Sequence, residues 1–116
     1  MKPTLSFLGA LLLCAPGLSS ASQLVDNLKA GKDQTVVVYG TSLTAGGEWT
    51  KPLKSWLETV NPAAKVNFVN SGQSGKNSIV GLQKLDEVVI ANKPDTVLIE
   101  FAVNDAGRRE GKPVAV

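Results

Sequence analysis

The stretch TVVVYG, residues 35–40, decides the fold that we predict for this chain. Its β-branched and aromatic residues favour a strand, its unbroken apolar character indicates burial on both faces, and Gly40 bounds it. Two further strand-like runs follow at residues 65–69 and 96–102. The three runs begin about 30 residues apart, which leaves room for a helical crossover between successive parallel strands.

Helix-like segments lie between these runs. Apolar residues recur at helical spacing over residues 49–60 and 79–90, and a shorter amphipathic segment covers residues 24–28. Continuous apolar strands that alternate with helices are typical of a parallel sheet covered on both faces. We therefore predict a doubly wound parallel sheet in a flavodoxin-like, three-layer α/β/α domain, truncated after the third strand. The strand order 2-1-3 would leave that third strand at an open edge.

The first 21 residues are typical of a secretory signal peptide. Lys2 supplies the positive charge, residues 5–13 form an apolar segment too short to span a bilayer, and the small residues that follow predict cleavage after Ala21. Cys14 follows a leucine rather than the small residue expected before a lipidated cysteine, so we expect it to be removed with the signal. The mature chain, residues 22–116, would then be secreted or periplasmic and would contain no thiol and no disulfide.

The charge of the chain argues against one class of partner. The sequence carries 12 Lys and Arg against 10 Asp and Glu, a formal net charge of +2. These charges are interspersed, without the basic stripe by which nucleic-acid-binding proteins contact phosphates. We therefore expect no nucleic-acid partner and, once the signal is cleaved, no membrane span. The sequence leaves the oligomeric state open.

A polar loop follows each strand-like run. The loops are GTSLT at residues 40–44, NSGQSG at residues 70–75 and AVND at residues 102–105. In open parallel sheets, functional groups gather outside the carboxyl ends of the strands. Since all three loops follow a strand, we expect them to lie together at that edge of the sheet, although they are far apart in sequence.

Each loop offers one residue suited to acyl transfer. Ser42, near the start of a helical stretch, would present an exposed hydroxyl beside backbone N–H groups. Gly75 would let its backbone approach a bound ester and donate its N–H. The carboxamide of Asn104 could donate a hydrogen bond to an oxyanion without carrying charge.

Taken singly, each of these residues has a simpler explanation. Ser42 could cap a helix or a turn, Gly75 could only relieve loop strain, and Asn104 with Asp105 could only turn the chain. The first loop is also not the Gly-x-Ser-x-Gly turn of α/β-hydrolases, because Thr44 replaces the second glycine. Only the combination of the three loops therefore indicates a catalytic site.

In order and spacing, the three loops resemble the sequence blocks of the SGNH hydrolase family, also called GDSL-type esterases or lipases. Residues 40–43 resemble the first block, with Thr41 where the family pattern has aspartate. Residues 70–75 resemble the second block. Residues 102–105 resemble the third block, Gly-x-Asn-Asp, with Ala102 in place of the glycine. The resemblance covers most of the chain after the signal peptide.

The resemblance implies a role for one residue of each block. Ser42 would be the nucleophile of a carboxylic ester hydrolase. Its own N–H, the N–H of Gly75 and the side chain of Asn104 would form the oxyanion hole. The substrate would be a small-molecule or carbohydrate ester, and the resemblance implies no cofactor and no metal ion.

The chain contains no histidine. The family's fourth block, an Asp-x-x-His, supplies the base that takes the serine proton and the carboxylate that orients this base, and nothing in the sequence matches it. We therefore expect residues 22–116 to be the N-terminal portion of an SGNH-type esterase domain, inactive on its own.

Two other classes of function stay open. The hydroxyl-rich segment at residues 41–46 follows the first strand, where flavodoxin-like proteins hold a flavin phosphate, although none of the three loops offers an aromatic residue to stack on the flavin ring. A catalytically inactive relative could instead bind an ester or a glycan without cleaving it. Flavin absorbance would identify the first class, and the lack of an Asp-x-x-His further along the protein would identify the second.

Overall fold

The computed structural model describes residues 22–109 and 112–113. The predicted signal peptide, with its cleavage site and Cys14, lies outside these residues. None of the described helices is both long enough and apolar enough to cross a membrane.

The described elements alternate between strands and helices along the chain. In order they are α1 (Gln23–Lys29), β1 (Gln34–Gly40), α2 (Ser42–Gly46), α3 (Thr50–Val60), β2 (Val66–Asn70), α4 (Ser78–Val88), a 3₁₀ turn (Ile90–Asn92), β3 (Thr96–Glu100), α5 (Ala102–Asp105), β4 (Arg108–Arg109) and β5 (Lys112–Pro113). The last two strands form a small antiparallel pair of their own.

β1 is the central strand of a parallel three-stranded sheet of order β2-β1-β3. Val36 of β1 lies opposite Phe68 of β2 and Thr96 of β3. Every residue of β1 except Thr35 is buried, which explains its unbroken apolar sequence. The predicted strand order is confirmed, and within the described residues β3 is an edge strand whose Ile99 is 63% exposed.

Helices α1 and α3 cover one face of the sheet. Leu28 of α1 and Leu57 of α3 are buried against Val36 of β1. α1 begins at this position because the hydroxyl of Ser22 accepts a hydrogen bond from the N–H of Val25 and caps the helix.

Helix α4 covers the other face of the sheet. There the rings of Tyr39 and Phe101 meet edge to face, with their centroids 5.1 Å apart, and the Tyr39 hydroxyl donates to the carbonyl oxygen of Gly81 at 2.7 Å. Burial raises the pKa of Tyr39, and the charge of Lys84 acts in the opposite direction. A Cβ on Gly81 would lie 2.7 Å from the Phe101 ring. The glycine that weakens the helix propensity of α4 therefore makes room for this ring.

Two element boundaries differ from the prediction. β3 ends at Glu100 rather than at residue 102, because Phe101 leaves the extended conformation (ψ 0°) as its ring enters the core, and α5 begins at Ala102. The helix predicted over residues 79–90 divides into α4 and the 3₁₀ turn, which ends where Lys93 takes a φ of 50°. The short helix α2 occupies part of the first polar loop, residues 40–44.

Candidate active site

The first loop begins where β1 passes closest to β3. A Cβ on Gly40 would clash with the carbonyl oxygen of Glu100 and the hydroxyl of Thr44, so only glycine fits there. The N–H of Thr41 donates to the same Glu100 carbonyl at 3.1 Å and extends the pairing of the two strands. The Thr41 hydroxyl then accepts a hydrogen bond from the N–H of Leu43 at 3.3 Å and caps α2.

Ser42 is the first residue of α2 and is exposed. The N-cap of this helix is Thr41, so the hydroxyl of Ser42 is not used to cap it. Within residues 22–109 and 112–113, no hydrogen bond occupies the hydroxyl or the backbone N–H of Ser42. Both groups are therefore available to a ligand.

The second loop packs against the first. The side-chain nitrogen of Asn70 donates to the carbonyl oxygen of Thr44 at 2.8 Å, and its side-chain oxygen accepts from the N–H of Gly72 at 2.9 Å. The N–H of Gln73 donates to the carbonyl oxygen of Gly40 at 2.7 Å. These bonds fix the path of the second loop relative to Ser42.

Gly75 lies at the exposed tip of the second loop. Its φ of 71° falls in the left-handed region that favours glycine. A Cβ at this position would meet no atom within 4 Å. The need for glycine thus comes from the backbone conformation rather than from crowding by the described residues. No hydrogen bond in the described part of the chain uses the Gly75 N–H.

The third loop is fastened by two hydrogen bonds to the residues that follow the second loop. The side-chain nitrogen of Asn104 donates to the carbonyl oxygen of Lys76 at 2.6 Å, and the carboxylate of Asp105 accepts from the N–H of Ser78 at 2.8 Å. A carboxamide has two N–H groups, so the bond to Lys76 orients Asn104 and leaves one donor over. Asp105 thus satisfies the N–H of Ser78 at the start of α4, whose N-cap residue is Asn77.

The expected convergence of the three loops is therefore observed. Gln73 joins the second loop to the first, and Thr41 joins the first loop to β3. Asn104 and Asp105 join the third loop to the residues that directly follow the second loop. The chain brings together the segments that carry the predicted site residues. No hydrogen bond in residues 22–109 and 112–113 joins Ser42, Gly75 and Asn104 directly.

The sequence analysis missed Glu100, the last residue of β3. One carboxylate oxygen, Oε2, accepts hydrogen bonds from the hydroxyls of Thr41 at 2.8 Å and Thr44 at 3.5 Å. The other oxygen, Oε1, is buried and has no partner among the described residues. The signal that could have found this residue is a charged side chain at the end of an otherwise apolar strand.

The chemistry available at this edge of the sheet is that of hydroxyl, amide and carboxylate groups. The described residues contain no cluster of three or more His, Cys, Asp or Glu side chains that could hold a metal ion. The hydroxyl of Ser42 can attack a carbonyl carbon, and backbone and side-chain N–H groups can stabilise an oxyanion. A base for the serine proton is not supplied by a histidine of this chain.

No family model and no curated protein matches this chain. Solved structures of a two-domain esterase (CEX) active on acetylated mannans do match. The one co-crystallized with mannopentaose is 28% identical, with a TM-score of 0.66 over 71% of this chain and 24% of that chain. A second structure of the esterase is 29% identical, with a TM-score of 0.64 over 74% of this chain and 25% of that chain. The chain thus spans about a quarter of the structures it matches.

This similarity is to part of an esterase. It extends over most of the described residues and includes sequence identity as well as backbone shape. A more specific assignment of reaction and family depends on Ser42 and the loops around it.

Proposed function

We propose that this chain is part of a secreted serine ester hydrolase of the SGNH, or GDSL, type, with Ser42 as nucleophile. The observation that carries the proposal is the exposed Ser42, whose hydroxyl and N–H are unoccupied within the described residues, on a loop fastened to the second loop and to the end of β3. The match to parts of a known esterase supports the same reaction class.

In the proposed reaction, the Ser42 hydroxyl oxygen attacks the ester carbonyl carbon and the carbonyl oxygen becomes an oxyanion. The N–H groups of Ser42 and Gly75 and the second N–H of Asn104 would donate to this oxyanion. Such donors act mainly in the transition state, and each is worth about 3 kcal/mol. Collapse of the tetrahedral intermediate expels the alcohol and leaves an acyl-Ser42 ester, which water then hydrolyses.

The proton of Ser42 requires a base from outside the sequence of this chain, which has no histidine. We propose that residues 22–116 are the N-terminal portion of the esterase domain and that an Asp-x-x-His elsewhere in the protein supplies this base. The matched esterase is consistent with that arrangement, because this chain covers only about a quarter of it.

The proposed substrate is an acetyl ester of a carbohydrate. The support is the matched esterase, which acts on acetylated mannans and was crystallized with mannopentaose. A signal peptide over residues 1–21 would bring the enzyme to such polysaccharides, which lie outside the cytoplasm. Sequencing the amino terminus of the exported protein tests this part, with Ser22 as the expected first residue.

The nucleophile can be tested on the present chain by supplying the missing base. Residues 22–116 are incubated with p-nitrophenyl acetate and imidazole, and acetylation of individual serines is followed by peptide mass spectrometry. Ser55, exposed on α3 and distant in sequence from the loops, serves as the internal control. We expect Ser42 to be acetylated at least about a hundredfold faster than Ser55, because only Ser42 has oxyanion donors. Equal rates for the two serines would contradict the proposal.

The substrate class needs the longer protein. With the complete reading frame expressed, we expect release of acetate from acetylated mannan and loss of that release on Ser42→Ala. A different result is that the protein hydrolyses p-nitrophenyl acetate but releases no acetate from acetylated polysaccharides. That result would agree with Ser42 as nucleophile and contradict the proposed substrate.

A further inference from the structure

We propose that Glu100 is a positioning residue for the nucleophile, an inference that rests on the proposed function. Its carboxylate would hold the Ser42 turn in its reactive geometry by accepting hydrogen bonds from the two threonine hydroxyls, Thr41 and Thr44, that flank the turn. Glu100 itself is not proposed to touch the substrate.

A chain of hydrogen bonds leads from Glu100 to Leu43, the neighbour of the nucleophile. The N–H of Leu43 donates to the Thr41 hydroxyl at 3.3 Å, and that hydroxyl donates to Glu100 Oε2 at 2.8 Å. Because the single hydroxyl proton of Thr41 is committed to the carboxylate, its lone pairs face the N–H of Leu43. A negatively charged acceptor also makes the hydroxyl a stronger acceptor in turn.

The two threonines that contact Glu100 are buried. Thr41 is 1% exposed and Thr44 is fully buried, whereas Ser42 between them is exposed. The two threonines thus hold α2 in place on its buried side, and Ser42 lies on its exposed side. A third contact, from the Thr41 N–H to the Glu100 carbonyl, ties the backbone at the same place.

A carboxylate at the position of Glu100 lowers the stability of the fold. Glu100 Oε1 is buried without a hydrogen-bond partner, and no lysine or arginine forms an ion pair with Glu100 in the described residues. An unpartnered buried carboxylate oxygen opposes folding, and this cost has to be offset by the hydrogen bonds that Oε2 accepts from the two threonines. The arrangement is explained when the carboxylate serves to orient the Ser42 turn.

The test compares Glu100→Gln with the matched variant Asp95→Asn. Asp95 accepts a hydrogen bond from the N–H of Thr35 at 2.7 Å, at the opposite end of β1 and β3. Each variant replaces a carboxylate by a carboxamide. The readouts are the melting temperature and the ratio of Ser42 to Ser55 acetylation with p-nitrophenyl acetate and imidazole.

We expect Glu100→Gln to lower the acetylation ratio about tenfold, the effect of a misplaced nucleophile, and Asp95→Asn to lower only the melting temperature. Thr41→Val, which removes the hydroxyl at nearly constant shape, should lower the acetylation ratio to a similar extent. Thr41→Ser, which retains the hydroxyl, should keep the wild-type ratio. The two Thr41 variants carry the test if Glu100→Gln does not fold. An unchanged ratio in Glu100→Gln, or equal losses in Thr41→Ser and Thr41→Val, would overturn the inference.

A second measurement does not depend on acylation. Amide hydrogen exchange of Leu43 reports its bond to the Thr41 hydroxyl, and Glu100→Gln should accelerate it at least severalfold relative to Asp95→Asn. If the wild-type chain acetylates Ser42 no faster than Ser55, the proposed function fails; the Leu43 exchange then still decides whether Glu100 orders the turn. Unchanged exchange of Leu43 would overturn that ordering role.

Discussion

The polar side chains at the amino end of the sheet bond differently from those at the carboxyl end. At the amino end, Asp33 accepts from the N–H of Lys65 at 2.7 Å and Asp95 accepts from the N–H of Thr35 at 2.7 Å. These carboxylates join the starts of neighbouring strands. At the carboxyl end, polar side chains join one loop to another, and the hydroxyl and N–H of Ser42 stay unoccupied among the described residues.

Groups that stabilise the fold and groups available for function therefore lie at opposite ends of the sheet. Hydrogen bonds at the amino end satisfy the backbone, so their removal should be felt only in the free energy of unfolding. Donors without partners at the carboxyl end contribute little to that free energy and are available to a substrate. Substitutions at the two ends should therefore move different measured quantities.

The largest expected effect is that of Ser42→Ala. Acetylation at this position must disappear, while the free energy of unfolding should change by less than about 0.5 kcal/mol because the side chain is exposed. Urea denaturation and peptide mass spectrometry measure the two quantities on one preparation. A large loss of stability would show that the hydroxyl belongs to the scaffold, as the amino-end carboxylates do.

Asn104→Ala is expected to have the next largest effect. Loss of one oxyanion donor costs about 3 kcal/mol in the transition state, so acylation of Ser42 should slow roughly a hundredfold. In the complete enzyme, kcat should fall with little change in KM. Because Asn104 also bonds to the Lys76 carbonyl, a smaller loss of stability accompanies the change. A lowered melting temperature with unchanged acylation would assign Asn104 to the scaffold instead.

Asp33→Ala tests the amino end of the sheet. Removal of the acceptor for the Lys65 N–H should lower the free energy of unfolding by about 1 kcal/mol. The ratio of Ser42 to Ser55 acetylation should stay at its wild-type value. A changed ratio would mean that the two ends are coupled through β1, and the comparison between them would break down.

Of the three substitutions at the carboxyl end, Gly75→Ala is expected to have the smallest effect on acylation, with Gly46→Ala as its control. A Cβ meets no atom within 4 Å at either position, but only Gly75 has a positive φ. Alanine at position 75 should therefore cost about 1 kcal/mol and slow acylation a few-fold by shifting the N–H. At position 46, in α2, alanine should be neutral or slightly stabilising. Equal results at the two positions would remove the argument from backbone conformation.

Much of the fold could be predicted from periodicity alone. Residues 35–40 and the two later apolar runs identified the strands, because strands buried on both faces must be apolar throughout. The end of β3 at Glu100 was missed because Phe101 and Ala102 are as apolar as the strand itself. Their change of backbone direction depends on the space above Gly81, which is a tertiary contact and leaves no local pattern.

The candidate site could be predicted in part. The convergence of three loops follows from strand direction, and the observed hydrogen bonds agree with it. The roles of Ser42, Gly75 and Asn104 remain predictions. The contacts of Glu100 could not be foreseen, since they depend on two threonine hydroxyls about 60 residues away reaching one carboxylate oxygen.

The fit between Gly81 and Phe101 makes the effect of one substitution depend on the other. Gly81→Ala would gain about 1 kcal/mol of helix propensity in α4 if its Cβ had space. The Phe101 ring, 2.7 Å from that Cβ, reverses the sign of the change. After Phe101→Leu, the same alanine becomes favourable. An evolving lineage could therefore acquire the alanine only after the ring is lost, so the order of mutations at these two positions is constrained by sign epistasis.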